Sequence, residues 1–209
     1  FHLFKTGFDG GVEHFVADDD ANAADQLRVD LDRGVELARE ALLQRGHHLF
    51  VEKPPAVTTF QTECLARMAE RKGLVTAVGF QRRYHPLVSR CWEEVRKVGP
   101  INQVVSCFYK CQPTKEPYDY YRGAIDVLRC DAIHAVDALR YFAGLAEVKA
   151  VASEVRKVDC WAPVSFNSLV YFENGVVGVL LVNWLTGRRT FKFEFHARDA
   201  SAYADIDGR

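Results

Sequence analysis

A lysine at the end of an apolar strand, and a histidine spaced between two aspartates, are the residues of this sequence best suited to move a proton. The run Phe50-Val51-Glu52-Lys53-Pro54-Pro55 sets Lys53 just beyond the apolar residues Leu49 to Val51. Ligands of open α/β sheets gather outside the carboxyl ends of strands, so position alone makes Lys53 a candidate. Proline restricts the residue before it to extended backbone, and an X-Pro bond is where a cis peptide is cheap. A cis Lys53-Pro54 bond would hold the amine in one direction. The competing reading is an ordinary solvated lysine at a strand-to-loop junction. Further along, Asp131, His134 and Asp137 lie three residues apart, a spacing that lines one stripe of an α-helix. Ala132, Ile133, Val136 and Leu139 would supply its packing face. Carboxylates beside an imidazole orient it and stabilise its charged form, which suits His134 to take or return a hydroxyl proton near neutral pH. Against this stands a histidine that only hydrogen-bonds a neighbouring aspartate at a domain seam.

The elements that must position these residues are legible from periodicity. From Gly34, apolar residues three and four apart (Val35, Leu37, Ala38, Ala41, Leu42, Leu43) predict an amphipathic helix stopped by Gly46, which feeds the lysine strand. Thr58 and Gln61 have the spacing of a capping box, and Phe60, Cys64, Leu65 and Met68 continue one face as far as Lys72-Gly73. Leu74 to Val78 is then a short strand. Residues 34 to 79 therefore read as helix, strand, helix, strand with a parallel crossover, the signature of a doubly wound sheet. The first thirty residues show no periodicity; Asp18-Asp19-Asp20 and the Ala/Asn run after it suggest a solvated turn and a short helix.

The character changes after Gly79, and a domain boundary is placed near Arg82. Pro86 opens a helix through Leu87, Cys91, Trp92 and Val95 that ends at Gly99-Pro100, and Ile101 to Cys111 alternates like a strand. A loop spans Gln112 to Tyr121, and a helix runs from about Asp126 to Phe142. Strands near 147–157, 165–172, 176–185 and 189–196 read as antiparallel, with Asn174-Gly175 as a hairpin turn. The fold class is thus α/β: a partial Rossmann-like parallel sheet over 1–82, followed over 83–209 by an α+β domain with an open, largely antiparallel sheet.

Composition narrows the function. Across 209 residues the formal net charge is −1, so no global field favours nucleic acid or an anionic membrane. No apolar run approaches the ~20 residues that span a bilayer, and the opening residues carry no basic leader. A cytoplasmic protein with a small-molecule partner is expected. The six cysteines follow no CxxC spacing, which predicts reduced thiols and no metal site.

Three blocks, Glu52-Lys53-Pro54, then Val78-Gly79-Phe80-Gln81-Arg82-Arg83-Tyr84-His85-Pro86, then Cys130-Asp131-Ala132-Ile133-His134-Ala135-Val136-Asp137 with Gly144, resemble the Gfo/Idh/MocA oxidoreductases over roughly residues 34 to 209. The resemblance implies an N-terminal dinucleotide-binding domain, a C-terminal open sheet through which homo-oligomers form, and hydride transfer between NAD or NADP and a sugar, polyol or related hydroxyl compound. It places Lys53 beside the nicotinamide to polarise the reacting oxygen, makes His134 the general base, and gives Asp131 or Asp137 the task of orienting it. Glu52, Lys53, Pro54, Gln81 and Arg82 fall on the cofactor side. For Arg82, Arg83 and Tyr84 the residues alone leave open a contact to cofactor or substrate; for the two arginines they equally allow a solvated, ion-paired turn.

The sequence also departs from the family. No GxGxxG occurs, and Gly7, Gly10 and Gly11 have the wrong spacing for the pyrophosphate turn. Family members carry a Thr-Pro turn and a histidine ahead of the lysine-bearing strand's helix, where this chain reads Leu27 to Arg33. Cys130 stands four residues before His134, where many members have an acid. The end after Asp205-Ile206-Asp207-Gly208 is earlier than usual in the family. Two readings follow: a partial representation of an ordinary dehydrogenase, which the exposed edges of a sheet lacking its first βαβ favour, or a non-catalytic binding and oligomerisation homologue that has lost its cofactor site. A lyase or hydrolase using Lys53 and His134 for proton transfer is a third.

Overall fold

The computed structural model describes residues 14–16, 31–111, 126–159 and 162–207. The glycines at 7, 10 and 11, the Asp18–Asp20 turn, the loop from Gln112 to Tyr121, Cys160 and Trp161 lie outside the described residues. The chain divides into two compact units, with the break after Gly79.

In the first unit, helix α1 (Leu31–Gln44) leads to strand β2 (Leu49–Val51), helix α2 (Thr59–Arg71) and strand β3 (Thr76–Val78), in the predicted order. β2 and β3 pair in parallel, Leu49 opposite Thr76 and Val51 opposite Val78, with α2 as the crossover. Strand β1 (His14–Val16), which the sequence reading did not foresee, pairs antiparallel on the other side of β2. Three residues are too few to show a period. Gly46 adopts φ +88°, the left-handed turn that ends α1. The capping box forms as read: Gln61 N–H donates to Thr58 Oγ1, and Thr58 N–H to Gln61 Oε1.

The packing faces of both helices differ from the expected ones. Leu43, Leu49, Val51 and Ala69 make the core of this unit, with Leu42, Leu65, Met68, Leu74 and Val78 against it. Leu37 and Phe60 are exposed. Each sits a turn or more before the part of its helix that packs on the sheet, so its place in the apolar stripe gives it nothing to cover.

The second unit builds a six-stranded sheet from β4 (Gln103–Cys111), β5 (Val148–Arg156), β6 (Ser165–Phe172), β7 (Val177–Asn183), β8 (Leu185–Ala197) and β9 (Ala200–Asp205), in the order β5-β6-β7-β4-β8-β9. Helices α3 (Pro86–Val98) and α4 (Ile133–Phe142) cover β4, β7, β8 and β9 on one face. The sheet is largely antiparallel as expected, with one correction: β4 and β7 pair in parallel at its centre. α4 and the β5–β6 hairpin intervene between them, which is the long connection that parallel neighbours need. β9 is a further strand beyond those predicted; its Ala-Ser-Ala-Tyr-Ala-Asp run is poor in β-formers and is held by pairing with β8. Gly175, at φ +85°, makes the turn between β6 and β7.

Alternation sorts the strands into two faces. Gly178, Leu180 and Val182 on β7, Val104, Ser106 and Phe108 on β4, and Phe191, Phe193 and Phe195 on β8 are all buried. Phe108 lies opposite Phe191, the rings stacked 4.2 Å apart, and Phe142 of α4 meets Phe193 and Phe195 edge-on. On α4 the buried residues are His134, Ala135, Ala138, Leu139 and Phe142, while Val136 is exposed. On α3 they are Val88 and Val95, while Leu87 is exposed. A Cβ at Gly178 would begin 3.0 Å from Leu139 Cδ2 and 3.0 Å from Phe172 Cε2, so the glycine is what lets α4 lie this close to the sheet. Gly178→Ala should cost about 1–3 kcal/mol by overpacking, whereas Gly187→Ala, with nothing within 4 Å of its Cβ, is the matched control; urea denaturation of the two variants checks this.

Candidate active site

In the first unit the lysine segment is held from several sides. Gly79 N–H donates to Val51 O at 2.8 Å, extending the β2–β3 pairing to the end of the strand. The Glu52 carboxylate turns back: Oε2 accepts from Lys53 N–H at 3.3 Å, and Oε1 lies 3.2 Å from where a side chain at Gly79 would begin. Lys53 is half-buried, Pro54 is buried, and the Lys53-Pro54 bond is cis, as the proline allowed. Beneath them Arg39, only 1% exposed, donates from Nη1 to Pro55 O. The sequence reading missed Arg39. Its signal was present, since a charged residue four before Leu43 falls inside the apolar stripe of α1.

In the second unit the helix bearing His134 begins with a π-helical turn, Leu128–Ala132. That wider turn changes the angle per residue at Asp131 from the one a uniform α-helix would give. The structure instead gives each aspartate a cation on another element. Asp131 pairs with Lys110 on β4. Asp137 takes a two-pronged bond from Arg83, with Nε donating to Oδ2 at 2.7 Å. His134 itself is 6% exposed and meets the edge of Phe80, ring centres 6.3 Å apart.

Residues 81 to 84 form a short 3₁₀ turn. Arg83 takes the ion-paired reading, and its guanidinium also lies 5.4 Å over Phe80 and 5.0 Å over Tyr141. The hydrogen bond it donates to Asp137 raises its pKa above the ordinary arginine value. Gln81 and Tyr84 are exposed. Arg82 lies over Phe191 at 5.5 Å; burial pulls its pKa down, the nearby Arg189 adds to that, and Asp207 partly offsets both. Lys110, also missed, sits 5.6 Å from the Phe108 ring centre and 5.2 Å from that of Trp184. It continues the buried alternation Val104, Ser106, Phe108, and a charge closing such a series was a readable signal. Lys53 belongs to the first unit, and His134, Asp131, Gln81 and Arg82 to the second.

No protein-family profile matches the sequence. The chain is 26% identical over 174 residues to D-xylose 1-dehydrogenase (NADP(+)) 2 of Haloferax volcanii, across 79% of this chain and 51% of that protein. It is 30% identical over 115 residues to myo-inositol dehydrogenase Hyg17 of Streptomyces leeuwenhoekii, across 54% of this chain and 35% of that protein. The fold resembles that of GenD2 from gentamicin A biosynthesis, solved in complex with NAD, with a TM-score of 0.73, 23% identity, and coverage of 90% of this chain and 58% of that one. The chain thus spans about half the length, or less, of the curated relatives it matches. Its resemblance to the Gfo/Idh/MocA oxidoreductases therefore rests on fold and on relatives as well as on its three motif blocks.

Arg39→Met should speed amide hydrogen exchange in the segment 52–57, followed by mass spectrometry, because it frees the Pro55 carbonyl from its buried donor; unchanged exchange would remove Arg39 from this role. Asp137→Leu should lower stability by about 1.5–3 kcal/mol, the range for hydrogen bonds to charged groups. Arg83→Lys should lose part of that, since an ammonium keeps the charge but not the fork; chemical denaturation measures both.

Proposed function

We propose that this chain is the catalytic-motif-bearing part of an NAD- or NADP-dependent oxidoreductase that interconverts a hydroxyl and a carbonyl on a sugar, polyol or related compound. The observation that carries this reading is the setting of His134: a buried helical imidazole three residues in sequence from each of two aspartates whose carboxylates hold Lys110 and Arg83. With both carboxylates engaged, the imidazole is the group fitted to accept the substrate hydroxyl proton and return it in the reverse direction. Asp131 and Asp137 serve as its charged frame. Lys53 supplies an ammonium to the oxygen as negative charge develops on it. The Haloferax and Streptomyces relatives, both named as sugar or polyol dehydrogenases, support the reaction class.

The residues present fit the nicotinamide end of such a cofactor. Glu52, Lys53 and Pro54 stand at the carboxyl end of β2, the position that binds ligands in open α/β sheets. The sequence reading also put Gln81 and Arg82, which belong to the second unit, on the cofactor side; Gln81 keeps that assignment here, and a bound nicotinamide would supply the two-electron acceptor or donor. Residues 1–82 are read as a partial NAD(P)-binding domain and 83–209 as the substrate and oligomerisation domain. The face of the sheet away from α3 and α4 carries Leu169, Tyr171 and Tyr203, all exposed, and is the surface assigned to self-association. Among the described residues no helix is long and apolar enough to cross a membrane, and no three metal-ligating side chains converge.

A second reading is a folded homologue that binds and assembles without a working cofactor site. Fluorescence titration with NADH and NADPH separates the two. Saturable binding weakened by Lys53→Ala is expected, with NAD(P)-linked turnover falling about 10²–10⁴-fold in His134→Ala, the range for a lost acid–base group. Turnover that survives Lys53→Ala and His134→Ala together would refute the assigned roles, and a folded chain that binds neither nucleotide would leave either a part of an oxidoreductase without its phosphate-binding half or the second reading.

A further inference from the structure

One end of the helix-covered face of the second unit's sheet collects more positive charge than its carboxylates neutralise. β4 and β7 run in parallel and β8 against them, so the last residues of the first two strands and the first of the third meet there. Around the stacked pair Phe108 and Phe191 stand Lys110, Arg189 and Arg82, each over one of these rings at 5.5 to 5.6 Å. Lys110 is engaged by Asp131, and Arg189 Nε donates to Asp207 Oδ2 at 3.0 Å. Among the described residues, three cations thus face two carboxylates. Arg82 is the one left over: among the described residues its guanidinium makes no ion pair, and its Nε is buried without a hydrogen-bond partner. Its nearest charges include a second guanidinium, that of Arg189. Two arginines brought together over aromatic rings, with a single carboxylate between them, form an arrangement that an oxyanion completes, because planar forked donors match carboxylate and phosphate oxygens. The cluster is continuous with the His134 helix through Lys110 and Asp131, and through the turn that carries both Arg82 and Phe80.

We infer that Arg82 and Arg189 bind an oxyanion carried by the substrate, so that the sugar or polyol is an acidic one, bearing a carboxylate or a phosphate. The inference deepens the dehydrogenase reading and rests on it for the role of His134. Neutral sugars then lack the anchoring group. Arg82 selects the substrate class, and Asp207 keeps Arg189 turned toward the site.

Isothermal titration of the 209-residue chain without nucleotide tests this, using D-glucuronate, D-glucose 6-phosphate, D-glucose and inorganic phosphate as probes. At least one of the two acids should bind ten-fold or more tightly than glucose and than inorganic phosphate, and which acid does so identifies carboxylate or phosphate as the anchor. Arg82→Gln and Arg189→Gln should each weaken that binding about ten-fold, Arg82→Lys should restore part of it, and 0.5 M NaCl should weaken it in the unaltered chain. Equal affinity for glucose and both acids, no binding of either acid, or inorganic phosphate binding as tightly as the sugar acid would overturn the inference without any variant having to fold. Arginine substitutions that alter only NADPH binding would overturn it too, by assigning the anion to the cofactor. Because no nucleotide is present in the sugar titrations, failure of nicotinamide binding sinks the dehydrogenase reading and is distinguishable from failure here.

Discussion

The close approach of α4 to the central strands is the constraint on which the second unit depends. Helix and sheet meet where β7 has no side chain, at Gly178, so Leu139 and Phe172 occupy the space a Cβ would fill. That contact fixes the depth of the helix, and the alanines at 135 and 138 keep its buried side thin. Phe142 can then reach Phe193 and Phe195. At the other end of the same helix, depth brings His134 out of solvent and into contact with Phe80. A larger residue at 178 would therefore disturb more than local packing, because the position of the imidazole follows from the seating of the helix.

Burying the beginning of that helix also sets its electrostatics. Carboxylates withdrawn from water need partners, and an unpaired buried charge is far costlier than an exposed one. Asp131 and Asp137 lie within the packed region, and each meets a cation from another element, Lys110 from β4 and Arg83 from the turn before α3. The cations in turn lie over aromatic rings, which stabilise a partly desolvated charge by their quadrupole. Charge pairing and ring contact thus tie the helix, the sheet and the turn together around the segment that carries His134.

Much of this architecture was legible in the sequence because the relevant signals are local. The capping box at Thr58, the glycine stop at Gly46, the proline start at Pro86 and the Asn174-Gly175 turn all depend on a few adjacent residues, and all are found. The parallel β4–β7 pair was not legible, since alternation says that a segment is a strand but not which strand lies beside it. Helix faces were misjudged at Leu37, Phe60, Leu87 and Val136 because hydrophobic spacing names a stripe without saying how far along the helix its partner extends. Spacing made His134 and the two aspartates candidates, while Lys110, Arg39 and Arg189 were not singled out. Their importance comes from what they meet across the fold, and a π-helical turn cannot be read from a three-residue interval.

The two units solve the same problem with different means. In the first, a small core of Leu43, Leu49, Val51 and Ala69 leaves little apolar contact to hold the segment after β2. A buried arginine reaches the Pro55 carbonyl instead, and a glycine at 79 gives the Glu52 carboxylate room to fold back on its own strand end. In the second, a large aromatic core already fixes the sheet, and charge pairs at its margin join the helix and the turn to it. Among the described residues, Lys110, Arg83 and Arg189 are matched by Asp131, Asp137 and Asp207, and Arg82 makes no ion pair. Stability alone would favour a neutral side chain over Phe191, because a guanidinium brought beside another guanidinium is disfavoured by both desolvation and repulsion. Among the described residues nothing offsets that cost at Arg82 with an ion pair, and this is the ground on which the inferred anion site stands.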